Sequence, residues 1–420
     1  MKSKLCDKLG IEFPLFAFTH CRDVVAAVTN AGGFGVLGAV AHTPESLEIE
    51  LNWIDEQVGG KPYGVDLLIP NKIVAKGEMP SAAELEARIP PEHRAYIADL
   101  LARHGLDVDD LWELGGSGRY GENLRPEGAG ALLDVAFAHP IKLIVNALGV
   151  PPDFMMERAR AKGVAVGALT GAREHAIKHA EAGVDILIVA GTEAGGHCGE
   201  VSTMVLVPEV LETIKPYPDM FALAAGGIAT GRQMAACMAM GAAGVWTGSV
   251  WLTTAEAETT PTVKEKMLAA HSRNTVRSRS RTGKPTRQLQ SAWTDAWGAA
   301  GAPDPLPMPL QGVLSRPAME KIDKLAATGH EGAKELATYY VGQAVGLMNT
   351  EQSARSVVYD FMRDYADAAE RLAATLEECP SSKHSGLLSL FLNGGSGSSW
   401  FDVKPLVVDG SSGVFERSVF

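Results

Sequence analysis

The chain has 420 residues, of which 46% are hydrophobic and 21% charged, the balance of a globular protein with core enough for one large domain or two modest ones. A formal net charge of −12 repels nucleic acid rather than recruiting it. Cys6, Cys21, Cys198, Cys237 and Cys379 are odd in number and form no CxxC pair, which argues against a disulfide framework or zinc ribbon and for a reducing, cytoplasmic setting; no apolar stretch is long enough to span a bilayer.

From the amino terminus, short β-prone runs alternate with segments of helical period. The spacing predicts strands over Phe13–Phe18, Phe34–Gly38, Tyr63–Ile69, Ile141–Asn146, Val164–Leu169, Asp185–Val189, Met220–Ala225 and Gly244–Gly248. Helices are expected between them at Cys21–Asn30, Pro44–Gln57, Pro152–Lys162, Arg173–Ala182 and Gly231–Met240. Several run into glycine, as at Asn30-Ala31-Gly32 and Met240-Gly241, the usual helix stop. Strands apolar throughout and joined by helices imply a parallel sheet covered on both faces. Eight such strands, with no GxGxxG turn after the first, favour a closed (β/α)8 barrel over an open doubly wound sheet.

The barrel is expected to occupy residues 1–70 and 129–254. Residues 71–128 interrupt the third unit as an insertion, placed to act as a lid over the mouth. Residues 255–392 read as a mainly helical extension containing a basic run, Arg277, Arg279, Arg281, Lys284 and Arg287. Residues 393–420 read as a flexible or appended tail.

Four glycine-centred segments fall at the carboxyl ends of the later strands and so gather on one rim. They are Asn146-Ala147-Leu148-Gly149, Gly191-Thr192-Glu193-Ala194-Gly195-Gly196-His197, Ala225-Gly226-Gly227-Ile228 and Thr247-Gly248-Ser249. The last two follow the seventh and eighth strands, where backbone N–H groups of such barrels bind a phosphate; taken singly, each is as well explained as a tight turn. A lone histidine is more often structural than catalytic, but His197 stands at a strand end among small residues that let a flat cofactor approach. An imidazole titrating near about 6.5 can exchange a proton with a carbon acid. Glu193 and Glu200 are candidates to orient it. Cys198, expected to point away from His197, has nothing to mark it as a nucleophile. His175 and His179 share a metal-pair spacing, but no third ligand is evident and a solvated helix face is the expectation; no metal is expected.

Ile11-Glu12-Phe13-Pro14, Asn30-Ala31-Gly32-Gly33-Phe34-Gly35, Glu193-Ala194-Gly195-Gly196-His197, Ala225-Gly226-Gly227-Ile228 and Gly244-Val245-Trp246-Thr247-Gly248-Ser249 occur in that order. Over roughly residues 5–350 the chain resembles the nitronate monooxygenase family, formerly the 2-nitropropane dioxygenases. The resemblance implies a TIM barrel holding non-covalent FMN, with His197 as the base beside the flavin. Gly226, Gly227, Gly248 and Ser249 would hold the phosphate, Ala17, Phe18 and Thr19 would lie near the isoalloxazine ring, and Gln343 would be a late flavin contact. Asp66, Asn146, Gly195, Gly196 and Thr247 complete the expected cofactor set.

The chain departs from the family pattern around the flavin, with Phe18-Thr19 where a Pro-Met pair is usual, Ala190 for a common Gln and Asp66 for a common Asn. The activity implied is oxidation of an alkyl nitronate with O2 to a carbonyl compound and nitrite. The alternative is an FMN-dependent enoyl or acyl-CoA oxidoreductase of a steroid-degradation-like branch, to which Val145-Asn146-Ala147-Leu148-Gly149 and Thr282-Gly283-Lys284-Pro285 look closer. The basic run reads first as an exposed charge cluster, and under this alternative as a clamp that would hold coenzyme A. A homo-oligomer fits either reading.

Overall fold

The computed structural model describes residues 3–69, 81–112 and 126–377. Through Arg371 they form one compact unit; residues 372–420 make a second, of which only the end of the last helix is described. The tail expected at 393–420 therefore lies outside the described residues, as does part of the insertion.

Strands β1 (Leu15–Thr19), β2 (Phe34–Gly38), β3 (Gly64–Leu67), β4 (Leu143–Asn146), β5 (Ala165–Thr170) and β6 (Ile186–Ala190) pair in parallel in chain order. A two-residue strand, β7 (Gly196–His197), leaves this sheet, and β8 (Phe221–Ala225) and β9 (Gly244–Thr247) complete it. Pairing of β9 with β1, Trp246 opposite Phe16, closes an eight-stranded barrel. The crossover helices are α2 (Arg22–Asn30), α3 (Pro44–Val58), α6 (Pro126–Ala138), α7 (Asp153–Lys162), α8 (Arg173–Glu181), α9 (Thr203–Ile214) and α10 (Gly231–Ala239). Their ends follow local chemistry. Thr43 accepts from the Ser46 N–H and Thr230 from the Gln233 N–H as reciprocal caps, while Gly59 and Gly163 end α3 and α7 in the left-handed region.

The period of two along each strand divides the apolar residues between two cores. Inside the barrel, Phe16, Phe34, Val36, Leu143, Val145, Ile186, Ile188, Leu223 and Trp246 form one cluster with Leu5, Cys6 and Leu9 of a short helix, α1 (Lys4–Leu9), which plugs one end. Outward residues such as Val65, Leu67, Leu187 and Val245 meet the surrounding helices. Each fully buried side chain of this size contributes about 1.5–3 kcal/mol, so the plug alone is a substantial anchor.

The insertion supplies α4 (Ala82–Ala87) and α5 (Pro91–Arg103). The extension supplies α11 (Pro261–Ala269), α12 (Ala292–Gly298), α13 (Leu310–Ala327), α14 (Glu331–Leu336) and α15 (Ala354–Glu377). Ile97, Leu100 and Leu101 share a core with Trp293, Trp297, Leu314 and Leu336, so insertion and extension fold against each other. The Tyr96 hydroxyl donates to the Ala296 carbonyl at 2.6 Å, a second tie between them.

The extension is not helical throughout. Its basic run forms an antiparallel hairpin of β10 (Thr275–Ser278) and β11 (Thr286–Leu289). β11 also pairs with β7, placing Thr286 opposite His197 and Arg287 opposite Gly196. No helix among the described residues is long and apolar enough to cross a membrane.

Candidate active site

Strand alternation decides which side chains face the barrel mouth. On β1, Ala17 packs outward and Thr19 accepts from the Cys21 N–H at 3.1 Å, leaving Phe18 turned inward. Phe18 stacks on Trp246 with ring centroids 5.9 Å apart and meets His20 edge-on at 5.2 Å. On β3, Val65 and Leu67 point outward, so Asp66 points in. Its carboxyl, 5% exposed, has no hydrogen-bond or ionic partner among the described residues, and burial pushes it well above the usual carboxylate range.

His197 owes its position to the extension. β7 carries it across the mouth, the pairing with β11 fixes the backbone, and Nε2 lies 3.0 Å from the Thr282 hydroxyl oxygen in the hairpin turn. That hydroxyl donates to the Lys284 carbonyl at 3.2 Å. Its oxygen then accepts from Nε2–H, leaving Nδ1 with the free lone pair. One edge of the ring stays open, while surrounding protein and then the Lys284 ammonium lower the imidazole below its ordinary pKa. Both effects bias the imidazole toward its neutral form.

The expected phosphate-side residues converge by hydrogen bonds. The Gln343 N–H donates to the Glu193 carbonyl at 2.9 Å, and the Gly342 N–H to the Ser249 hydroxyl oxygen at 2.8 Å. Glu193 in turn accepts from the N–H and hydroxyl of Thr203, whose hydroxyl also lies against the Ala225 and Gly226 carbonyls. The loops after β6, β8 and β9 are thereby joined through Val341–Gln343. A Cβ on Gly195 would stand 2.8 Å from the Val341 carbonyl carbon, so that glycine serves this junction. Two other expected residues have their polar atoms engaged elsewhere. Asn146 bonds the Ile69 N–H at 2.9 Å and the Ile69 carbonyl at 3.0 Å, locking the loop after β3. The Thr247 hydroxyl donates to the Phe16 carbonyl and accepts from the Trp251 indole.

Residues 2–364 match the model of the family described as nitronate monooxygenase. The chain belongs to the nitronate monooxygenase family. It is 53% identical over 379 residues to a Mycobacterium tuberculosis protein provisionally named a monooxygenase, covering 90% of this chain and all of that one. A provisionally named nitronate monooxygenase of Staphylococcus saprophyticus is 26% identical over 69% of this chain and 79% of its own length. Among solved structures, nitroalkane oxidase from Streptomyces ansochromogenes superposes with a TM-score of 0.70 at 24% identity, covering 88% of this chain and 99% of that chain. FabK from Thermotoga maritima superposes at 0.63 with 23% identity, over 89% and 99%. Both likenesses bear on the fold alone, a TIM barrel. As a nitronate monooxygenase family member, the chain is a flavin-dependent oxidoreductase.

The mouth fits a flat anionic cofactor. At Gly196 a Cβ would meet nothing within 4 Å, and at Gly248 only Phe18 at 3.9 Å, so protein packing crowds neither glycine. Gly226 and Gly227 hold φ of +94° and +73°, which turn the backbone sharply at the end of β8. Inside lie the Phe18–Trp246 face and Asp66, which has no partner among the described residues. These residues would hold the nitronate monooxygenase family's flavin.

Sequence reasoning missed Thr282 as the partner of His197, Trp246 as an aromatic wall, and His20, whose Nδ1 sits 2.8 Å from the Gly38 carbonyl. The available signal was the Thr-Gly-Lys-Pro turn between two short β-prone runs, a hairpin pattern. In the basic run, Arg279 donates to the Gly283 and Pro305 carbonyls, Arg287 donates to the Thr192 carbonyl, and Arg281 lies over Tyr340 at 4.4 Å. These cations brace the mouth. His175 is exposed as expected, but His179 is buried with Nε2 3.1 Å from the Leu169 carbonyl, a tie from helix to strand.

Proposed function

We propose that the chain oxidises alkyl nitronates using FMN and O2, giving a carbonyl compound and nitrite, with His197 as the base that lets it also accept neutral nitroalkanes. The observation that supports this most is His197 itself, a histidine of lowered basicity held across the mouth by β7–β11 pairing and by Thr282. Bound flavin supplies the electron acceptor. The chain's residues do the rest. The Phe18–Trp246 wall would offer an apolar bed for an alkyl group, Nδ1 of His197 would take the proton from the carbon bearing the nitro group, and Lys284 would favour the nitronate anion so formed. Ser249, the Gly226–Gly227 turn and Gly248 would hold the phosphate, with Gln343 beside them.

Anaerobic mixing of the purified yellow protein with propionate 3-nitronate should bleach the flavin band. His197→Asn should keep flavin binding and turnover of preformed nitronate, yet slow turnover of the neutral nitroalkane by about 10²–10⁴-fold. Bleaching by an acyl-CoA thioester and not by nitronates would instead establish enoyl or acyl-CoA chemistry. Full activity of His197→Asn on the neutral substrate would remove His197 from the mechanism.

A further inference from the structure

His20 is the imidazole of the mouth that the proposed proton chemistry does not use. It follows β1 directly, and its ring meets the inward Phe18 edge-on at 5.2 Å, while Phe18 stacks on Trp246 at 5.9 Å. Trp246, Phe18 and His20 thus form one row of rings, an aromatic wall that ends in a polar group. The end of the row has a firm seat. Nδ1 of His20 lies 2.8 Å from the carbonyl oxygen of Gly38, the last residue of β2. A Cβ on Gly38 would stand 2.6 Å from His20 Cε1, 2.7 Å from Nδ1 and 2.9 Å from the Phe18 ring, so only glycine lets the imidazole lie against that strand end. A carbonyl oxygen accepts and cannot donate. Nδ1 therefore carries the hydrogen, and in the neutral ring Nε2 holds the lone pair. The residue is exposed, so the ring reaches beyond its seat. His197 shows the reverse arrangement, with Nε2 anchored and Nδ1 open.

Building on the nitronate reading above, we infer that His20 sets substrate specificity, its Nε2 accepting a hydrogen bond from a hydroxyl at the far end of a chain laid along Trp246 and Phe18. The preferred substrates are then nitronates of hydroxylated alkyl chains over those of plain alkanes. The wall covers the methylenes and Nε2 meets the hydroxyl, the division between apolar surface and a few placed polar groups by which binding sites fix orientation. A methyl group in the hydroxyl's place would shield Nε2 from water and give it no donor, which is how a polar group rejects an apolar isostere. His20 takes no part in the proton transfer assigned to His197; it reads the other end of the molecule.

The test compares preformed nitronates of a hydroxyl-ended chain and of its methyl-ended isostere on the full-length, flavin-loaded enzyme at about pH 9, above the ordinary imidazole range. The ratio of their kcat/KM values, hydroxyl over methyl, should fall about three- to tenfold in His20→Phe, the size of one neutral hydrogen bond. His20→Gln, whose amide oxygen still accepts, should keep part of the preference. A ring that served packing alone would slow both substrates alike, and an unmoved ratio overturns the inference. A second measurement uses the wild-type holoenzyme labelled with nitrogen-15 histidine. The lone-pair signal of His20 Nε2, assigned by its loss in His20→Gln, should shift when an unreactive primary alcohol of matching length is added. It should stay in place with the corresponding methyl ether, which has no hydrogen to give. Should His20→Phe fail to fold, that signal decides, and no shift with the alcohol overturns the inference. Turnover of nitronates with an unmoved ratio sinks the His20 role alone. No turnover of any nitronate sinks the nitronate reading, and the alcohol shift then judges Nε2 by itself.

Discussion

A base that takes a proton from carbon must be neutral at the working pH, and the two causes acting on His197 differ in kind. Desolvation comes first and belongs to the whole mouth; the Lys284 ammonium comes second and belongs to one residue. Both depress the pKa, so the basic form persists into more acidic solution and activity on a neutral nitroalkane falls only below that lowered pKa. Lys284→Met should therefore move the acidic limb of that pH–rate profile to higher pH and leave the profile for preformed nitronate in place. A limb that does not move would show that Lys284 lies outside the field of the base. Thr282 is open to a separate test. Thr282→Val should lower turnover of neutral nitroalkane about tenfold without changing flavin affinity, and Thr282→Ser should restore it.

Among the elements, the hairpin β10–β11 decides where His197 stands, and its turn depends on Gly283. At φ +84° an added Cβ would lie 2.2 Å from the Leu306 carbonyl oxygen, so Gly283→Ala should cost about 2–4 kcal/mol. Thermal unfolding should register the loss, and turnover of neutral nitroalkane should fall more than FMN binding does. The barrel was legible in the sequence because its strands are apolar throughout and end in glycine-bearing loops. The hairpin was not. Thr286, Arg287, Gln288 and Leu289 are all buried in β11, three of them polar, where strand pairing on both edges holds the backbone and side-chain hydrogen bonds engage Thr286 and Arg287, while Gln288 Oε1 has no partner among the described residues. A pattern of hydrophobicity cannot show a strand stabilised in that way. β7 is shorter still, two residues with no alternation to read, so the sequence located His197 on the rim but not what holds it there. Asn146 and Thr247 were placed correctly at strand ends. Their side chains proved to be loop locks because short polar groups at a strand's end find backbone partners within reach.

For the molecule as a whole, burial has set several ionisations against solution chemistry. His42, His179 and His197 all lie below their ordinary pKa, chiefly through desolvation. The unfolded chain thus binds more protons than the folded one just below about pH 6.5, and stability falls as pH drops through that value. Asp66 acts in the opposite sense: its raised folded pKa gives stability that is complete below the unfolded value and is lost as pH rises toward the folded one. The two effects overlap and oppose each other below about pH 6.5, and His179→Gln should flatten the acid side of a plot of melting temperature against pH for the flavin-free protein. An acid side unchanged in that variant would place the linkage at His42 or His197 instead. The pairing of β7 with β11 has one more consequence, in the order of synthesis. All eight barrel strands have been synthesised once Thr247 has been added, but the strand that pairs with His197 begins only at Thr286. The barrel's own core is thus complete in sequence before the segment that fixes His197, and on the proposed mechanism proton transfer waits for the rest of the chain.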